Sequence, residues 1–431
     1  MTALRARTAI CAAALTVLPA TTSFAQTSKI DPADTAWMIV ATGLVLMMSI
    51  PGLALFYAGM VRKKNVLGTM AQSLASVAIV SVLWVALGYS LAFVGDGRFL
   101  GSLDRLMLIG MMPDSVNAGA KTIPEALFML YQMTFAIITV ALVAGAVADR
   151  MRFSAYLWFS IGWFAIVYVP LAHWVWGGGF LGKAGVLDFA GGTVVHLNAG
   201  VAGLVAAIVM GKRRGYGEEN LAPFDLSLAV IGTGLLWVGW FGFNGGSALS
   251  AGSRAVTAIA ATHLAACTGA LTWTALEWSG RGKPSVLGMI SGAVAVLGTI
   301  TPASGFVAPW HGLVIGGLAG AVCFWACTRL KQRFRYDDSL DVFGVHCIGG
   351  LVGTLLTGVF ATAAIGGTAG LIEGNPRQIL LQLYGIAVTL VWSGGATFIL
   401  LKVVAFIVPL RLSTQQELEG IDITQHGEAL Q

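Results

Sequence analysis

Long apolar runs separated by short polar segments dominate this chain of 431 residues. A helix needs roughly 20 apolar residues to cross a bilayer, and eleven runs beyond residue 35 approach that length, the eighth being short. They lie at about 36–60, 69–94, 124–148, 155–173, 193–210, 222–243, 254–279, 285–299, 309–328, 342–361 and 380–408. The pattern predicts an all-α polytopic membrane protein with eleven transmembrane helices.

The first 25 residues have the pattern of a secretory signal peptide. Arg5 and Arg7 precede a short apolar stretch, and small residues lead to a cleavage site after Ala25. We therefore predict a cleaved signal peptide over 1–25, a transmembrane domain over 26–410 and a polar cytoplasmic tail over 411–431. This export route places the mature N-terminus outside and the protein in the bacterial plasma (inner) membrane.

The basic residues predict an N-out, C-in orientation. Loops assigned to the inside carry most of the Lys and Arg, in clusters such as 62–64, 212–214 and 329–335. Charged residues make up only 10% of the chain, against about 25% in soluble domains. The net charge of +5 therefore reflects cytoplasmic loops rather than a nucleic-acid-binding surface.

The sequence carries no motif typical of an enzyme, since neither a P-loop, a nucleophile elbow nor a metal-ligand cluster is present. The five cysteines fall in the signal peptide or in apolar runs, where thiols usually pack as small hydrophobic groups. We expect no disulfide framework, no metal site and no cofactor.

Two histidines occupy matching positions in the fifth and tenth runs. His196 lies in "VVHLNAGVAGLV" and His346 in "GVHCIGGLVGTL", and glycine follows each histidine after four and after seven residues. These spacings share one helix face, where another backbone can approach closely. An aspartate precedes each run, Asp188 and Asp341, and we expect Asp341 to cap the tenth helix.

Five helices separate the two copies, which predicts an inverted repeat of helices 1–5 and 6–10. The two histidines then meet near the bilayer midplane, although a packing role for each one alone is the alternative. Ionisable residues at this depth are usually functional. We interpret His173 as interfacial, and His263 and His311 as packing or helix-end residues.

Five long motifs carry a resemblance to a known family. They read "IPGLALFYAGMVRKKNVL" (50–67), "AHWVWGGG" (172–179), "DFAGGTVVHLNAG" (188–200), "GWFGFNGGSA" (239–248) and "DVFGVHCIGG" (341–350). These segments resemble the ammonium transporter family (Amt/Mep/Rh), specifically its bacterial Amt branch. The resemblance covers nearly the whole mature chain and implies a homotrimer with one pore in each protomer.

The resemblance implies roles for residues near the outer mouth. Trp176, Ser247 and Phe135 match an ammonium recruitment site, where an aromatic face attracts the cation and a hydroxyl oxygen accepts its hydrogen bond. Phe243 and Tyr131 match an aromatic gate, with tyrosine standing where phenylalanine is usual.

In the pore centre, His196 and His346 resemble a twin-histidine site. Neutral imidazoles each offer one donor and one acceptor, so the pair can relay a proton or guide a polar solute. Because charge is expensive at bilayer depth, we expect ammonium to lose a proton and to cross as ammonia. Asp188 and Trp240 match positions with a structural or electrostatic role beside the pore.

The tail resembles a regulatory C-terminus through "EGID" and "HGEA", with Leu430 where an aromatic residue is usual. The family implies a PII-type signalling protein that binds at the cytoplasmic face; a solvated tail is the alternative. The sequence thus predicts an ammonium transporter. A passive Rh-like channel for ammonia or carbon dioxide and an ammonium sensor remain open as alternatives, as does the net transported species.

Overall fold

A computed structural model describes residues 29–430, so the predicted signal peptide lies outside the described residues. From residue 29 to residue 430 the chain forms helices and loops, with two isolated β-bridges and no strand. Ten of the helices are long and apolar enough to cross a membrane. The all-α prediction is confirmed.

The bounds of the helices follow the predicted apolar runs closely. The ten long helices are α1 (Pro32–Met60), α2 (Lys63–Phe93), α3 (Glu125–Val147), α4 (Phe153–Ala184), α5 (Gly192–Met210), α6 (Leu226–Gly245), α7 (Ser253–Arg281), α9 (Pro309–Phe334), α10 (Phe343–Phe360) and α11 (Arg377–Ile407). The predicted eighth run forms α8 (Val286–Ile300), which has 15 residues. At 1.5 Å per residue it measures about 22 Å, less than the roughly 30 Å of a hydrocarbon core.

Burial separates the central helices from those at the periphery. In its most apolar segment α3 is 83% buried and α5 is 78% buried, whereas α11 is only 28% buried. The outward faces of the peripheral helices carry large apolar side chains, for example Leu271, Val391 and Phe406. An apolar exterior around a helical centre suits a lipid environment, where every backbone group must be bonded internally.

The helices α5 and α10 cross in the centre of the bundle at two glycines. A Cβ atom on Gly200 would lie 2.1 Å from the backbone nitrogen of Cys347, and one on Gly350 would lie 2.7 Å from that of Leu197. Each contact joins the glycine four residues after one histidine to the residue directly after the other histidine. Only a residue without a Cβ atom permits this approach, which confirms the close contact predicted at these glycines.

The C-terminal residues pack against loops at one end of the bundle. The Asp422 carboxylate accepts hydrogen bonds from the backbone N–H groups of Leu67 (3.1 Å) and Gly68 (2.8 Å). The Ile421 N–H donates to the side-chain oxygen of Asn65 at 2.9 Å, and Leu430 packs on apolar residues there. The first turn of α2 is therefore capped by a residue 354 positions later in the chain, and the tail is docked rather than solvated.

We expect Asp422→Ala to release the tail from α2. Loss of an N-terminal capping carboxylate costs about 1 kcal/mol, and amide hydrogen exchange over residues 65–70 and 414–430 should become faster. The control is Glu428→Ala, because the exposed Glu428 carboxylate makes no hydrogen bond with the described residues. Equal exchange rates in the two variants would contradict the capping role.

Candidate functional site

His196 and His346 meet in the centre of the bundle. Their Nδ1 atoms lie 3.2 Å apart, and the planes of the two rings are only 11° from parallel. Both side chains are buried. A hydrogen bond between two ring nitrogens needs one donor and one acceptor, so the two imidazoles hold complementary tautomers. The structure thus brings together the two residues that the repeat paired.

Each histidine lies in a π-helical turn near the start of its helix. These turns span Gly192–Leu197 in α5 and Phe343–Cys347 in α10. A third such turn, Phe241–Gly245 in α6, carries Phe243. Wider turns of this kind occur often at functional sites, and here all three contribute a ring to one central region.

Trp240 is parallel to the ring of His196, with 5.6 Å between the ring centroids and 18° between the planes. Its indole Nε1 donates to Thr301 Oγ1 at 2.9 Å. Thr301 directly follows α8 and is buried. Trp240 is therefore fixed at its polar end and supports the face of His196, which fits the structural role implied for it.

A cavity of about 10 Å³ adjoins the histidine pair, enough for the centre of one water molecule. The histidines supply the ring nitrogens of its lining, and the other lining side chains are apolar, among them Leu53, Ile138 and Leu236. His196 Nε2 is buried and has no hydrogen-bond partner among the described residues. A small neutral solute is therefore easier to accommodate here than an ion.

Beside the ring of Phe135 lies a larger cavity of about 270 Å³, which we call the Trp176 cavity. Its lining includes Phe93, Phe128, Gln132, Phe135, Trp176, Phe189 and Ser247. The three predicted recruitment residues all line it, and the rings of Phe135 and Trp176 stand at 89° to each other. The Ser247 hydroxyl donates to the Phe243 carbonyl oxygen at 2.8 Å, and the Tyr131 hydroxyl lies 3.3 Å from the Ser247 oxygen, which leaves that oxygen at least one lone pair as an acceptor.

The aromatic stack beside this cavity corrects the pair of rings predicted for the gate. The ring stacked on Phe243 is Phe135, at 4.2 Å between centroids, and not Tyr131. The Tyr131 hydroxyl lies 2.8 Å from the Phe243 carbonyl oxygen and 3.0 Å from that of Gly242. Because the hydroxyl donates to this pair of carbonyls in α6, the Tyr131 ring is held beside the stack, edge-on to Phe135.

On the His346 side of the histidine pair lies a cavity of about 200 Å³, which we call the Arg213 cavity. Its lining includes Tyr57, Arg213, Trp273, Cys327, Asp341 and His346. Of the two histidines, only His346 lines this cavity. Four features therefore follow one another through the bundle: the Trp176 cavity, the Phe135–Phe243 stack, the histidine pair and the Arg213 cavity. We call this series the route.

Asp188 caps the first turn of α5 with both carboxylate oxygens. Oδ1 accepts from the N–H groups of Gly191 (2.7 Å) and Gly192 (2.6 Å). Oδ2 accepts from the N–H and the hydroxyl of Thr193. The backbone carbonyl of Asp188 also accepts from Trp176 Nε1 at 2.8 Å. These contacts are those of a structural cap that also positions the indole.

The matching cap on α10 is Asp338, which corrects the expectation for Asp341. The N–H of Phe343 donates to Asp338 Oδ2 at 2.7 Å, whereas Asp341 pairs with Lys331 at 2.7 Å. Asp338 stands eight residues before His346, as Asp188 stands eight residues before His196. The repeat therefore includes an aspartate eight residues before each histidine, and in the second copy this residue is Asp338 rather than Asp341.

The two caps differ in how fully they are bonded. Asp338 Oδ1 is buried and has no partner among the described residues. Burial raises the pKa of Asp338 to about 6; Lys331 opposes the shift and Asp341 adds to it. In neighbouring Asp337, burial also raises the pKa, but the hydrogen bonds and charge of Arg213 outweigh it and hold the pKa below its usual value.

Sequence reasoning missed three residues at this site and misplaced one. Thr301, which anchors Trp240, gives no signal apart from the tertiary contact itself, whereas Asp338 had one in its spacing, eight residues before His346 as Asp188 is before His196. Gln132 had one signal, because an amide inside an apolar run of a membrane helix is unusual. His173, read as interfacial, is buried, with its ring nitrogens 2.9 Å from the Ala92 carbonyl oxygen and 2.6 Å from that of Gly97.

The described part of the chain, residues 29–430, contains no group of three His, Cys, Asp or Glu side chains placed to hold a metal ion.

Comparisons with known proteins identify the family and the fold. A profile of the Ammonium Transporter Family matches residues 36–430. An ammonium transporter of Bacillus subtilis (strain 168) is 48% identical over 92% of this chain and 97% of that relative. The crystal structure of Saccharomyces cerevisiae Mep2 has a TM-score of 0.83 at 38% identity, covering 90% of this chain and 89% of Mep2. A solved structure named "Sensor Amt Protein" has a TM-score of 0.84 at 26% identity, covering 91% of this chain and 98% of that one.

We expect Gly350→Ala to force α5 and α10 apart, because the new methyl group meets backbone atoms of α5 at 2.7 Å. Overpacking of this kind costs about 1–3 kcal/mol, so the apparent melting temperature should fall and the Nδ1–Nδ1 distance should lengthen in an experimental structure. The control is Gly395→Ala in α11, where a Cβ atom meets nothing within 4 Å. A Gly350→Ala protein with the melting temperature of that control would contradict the close crossing.

We expect Asp338→Asn to stabilise the protein at pH 7.5. The folded pKa of about 6 lies above the unfolded value of about 3.9, so ionisation of Asp338 penalises the fold as the pH rises from 4 to 6. Asparagine stays neutral and keeps a carbonyl acceptor for the Phe343 N–H. The gain, on the order of 3 kcal/mol at pH 7.5, should disappear as the pH falls towards 4, measured as apparent melting temperature at a fixed scan rate.

Asp337→Asn is the matched control for this prediction. It should lower the melting temperature at pH 7.5, because Arg213 loses its charged partner at 2.8 Å. A gap between the Asp338→Asn and wild-type proteins that stays the same from pH 7.5 to pH 4 would show that the unpaired oxygen does not destabilise the charged form.

Proposed function

This chain belongs to the ammonium transporter family, and from that premise we propose that it carries ammonium into the cell as ammonia plus a relayed proton. Its relatives are named as transporters, a class distinct from enzymes. The observation that carries the proposal is the His196–His346 pair, joined at 3.2 Å between two open cavities. Apolar side chains surround the pair, and they favour passage of neutral ammonia and of the proton by separate steps over passage of the intact ion.

We propose eleven transmembrane spans with α8 as the eighth, in an N-out, C-in arrangement. The basic loop that contains Arg213 then faces the cytoplasm, and the Trp176 cavity opens to the outside. The reciprocal contacts of Gly200 and Gly350 support an inverted repeat of α1–α5 and α6–α10. The equal spacing of Asp188 and Asp338 from their histidines supports it as well.

Recruitment takes place in the Trp176 cavity. The indole ring of Trp176 and the ring of Phe135 present π faces to a cation, each worth about 0.5–2 kcal/mol. The Ser247 oxygen accepts one of the cation's N–H groups. Entry beyond this point requires the Phe135–Phe243 stack to separate, and it leads into a lining that an ion crosses only at high cost. Ammonium that reaches this point therefore gives a proton to His196 Nε2, the unbonded ring nitrogen beyond the stack, and ammonia continues.

The proton passes through the two imidazole rings of the histidine pair. In the starting tautomers, His196 carries its proton on Nδ1 and His346 on Nε2. A proton that binds His196 Nε2 lets the Nδ1 proton move to His346 Nδ1, and the His346 Nε2 proton leaves into the Arg213 cavity. Each passage leaves the opposite tautomers, so the pair resets before the next proton. Ammonia takes up a proton again in the aqueous cavity.

Regulation and assembly are proposed from the family resemblance together with the docked tail. The tail lies against the ends of α2 and α3 at the cytoplasmic face, where a PII-type signalling protein would meet it. We propose that the protein is a homotrimer in the bacterial inner membrane, with one such route in each protomer.

Two alternatives use the same residues. A passive Rh-like channel passes ammonia past the histidines without moving net charge. An ammonium sensor binds the cation in the Trp176 cavity without sustained flux, and the likeness to a structure named as a sensor keeps this reading open.

The experiment is an ammonium pulse applied to proteoliposomes on a solid-supported membrane. We expect a transient inward current for the wild type and loss of at least nine-tenths of it in His196→Ala, because the relay loses its entry nitrogen. The matched control is His263→Ala, since His263 is an exposed histidine of α7 outside all three cavities of the route. This control should keep the wild-type current.

Different outcomes identify the alternatives. Internal alkalinisation by ammonia without any current favours the passive channel. Saturable ammonium binding without current or alkalinisation favours the sensor. An undiminished current in His196→Ala rules out the histidine relay.

A further inference from the structure

Gln132 lines the Trp176 cavity one helical turn before Phe135. Only 8% of the residue is exposed, and its Oε1 atom is buried without a hydrogen-bond partner. The side-chain amide makes no hydrogen bond with any residue that the structure describes. A buried amide without partners is costly, so its presence beside a cavity calls for a ligand.

Two other buried glutamines, Gln382 and Gln378, are hydrogen-bonded within the protein. Gln382 donates to the Leu187 carbonyl oxygen at 2.7 Å and accepts from the Leu187 N–H at 2.8 Å. Gln378 donates to the Gly185 carbonyl oxygen at 2.9 Å. Gln132 and Gln72 each keep a buried Oε1 without a partner among the described residues, and of these two only Gln132 lines the Trp176 cavity.

We infer that the side-chain carbonyl of Gln132 is a second hydrogen-bond acceptor for the recruited cation, acting together with Ser247. This inference rests on the proposed function. An ammonium ion has four N–H donors, and the two aromatic faces of the cavity accept none of them strongly. Rotation of the amide by 180° exchanges its oxygen and its amino group, and a positive charge in the cavity favours the orientation that presents the oxygen.

The same arrangement favours ammonium over potassium. Ammonium donates directed hydrogen bonds, so two well-placed acceptors and two π faces replace much of its contact with water. Potassium has no hydrogen to donate and needs a ring of oxygen ligands in place of its hydration shell. Gln132 and Ser247 supply only two oxygens, which is too few for that ring.

The test uses the full-length protein in proteoliposomes, with ammonium as the probe and the half-saturating concentration of the current as the readout. Gln132→Met removes the acceptor but keeps the length of the side chain. We expect the half-saturating concentration to rise about tenfold or more, the loss of one hydrogen bond to a charged group. The maximal current should stay within about twofold of the wild type, because Gln132 does not contact the histidine pair.

Gln72→Met is the matched control. Gln72 in α2 is 2% exposed, and its Oε1 is likewise buried without a partner, but it does not line the Trp176 cavity. This variant should keep the wild-type half-saturating concentration. An equal rise in both variants would overturn the inference, because it would mark a general effect of altered packing.

A second variant covers the case in which Gln132→Met fails to fold. Gln132→Glu keeps an acceptor oxygen and adds a negative charge, so its half-saturating concentration should be at or below that of the wild type. A rise in Gln132→Glu, or an unchanged value in folded Gln132→Met, overturns the inference and leaves the proposed function intact. Absence of any ammonium response in the wild type would instead contradict the proposed function itself.

Discussion

The backbone contact between α5 and α10 is the constraint on which the site depends. Gly200 and Gly350 let the two helices approach until atoms of one main chain occupy the space of a missing side chain on the other. At that separation the residues one turn earlier, His196 and His346, face each other at hydrogen-bonding distance. A wider crossing leaves the two imidazoles in separate apolar surroundings, where each needs a different partner. The glycines thus fix the distance across which a proton is shared.

Hydrogen bonds outside the route hold the aromatic rings that line it. Trp240 is anchored through Thr301, Trp176 through the Asp188 carbonyl, and Tyr131 through the carbonyls of the π-helical turn in α6. Each bond uses the polar end of a ring and leaves its face for packing or for the solute. The rings are therefore fixed by donors and acceptors that do not meet the solute. Phe135 and Phe243 have no polar end, so packing alone holds these two rings.

The sequence predicts an element well where length and periodicity determine it. It predicts a side-chain partner poorly where a contact with a distant part of the chain determines it. Most apolar runs match the helices within several residues, because crossing a bilayer sets their length, although α4 continues eleven residues beyond its predicted end, to Ala184. The histidine pair follows from a repeat with equal glycine spacing. The gate partner was wrong because a hydroxyl contact with α6 displaces the Tyr131 ring, and the cap was wrong because Asp341 is taken by Lys331. Neither partner is visible in a single stretch of sequence.

The cap on α2 joins residues that are synthesised far apart in time. A ribosome releases Leu67 and Gly68 long before Asp422 exists, so the first turn of α2 waits for its carboxylate until translation is nearly complete. A chain that terminates before Asp422 leaves those two amides without their carboxylate. The docked tail thereby distinguishes a finished molecule from a truncated one.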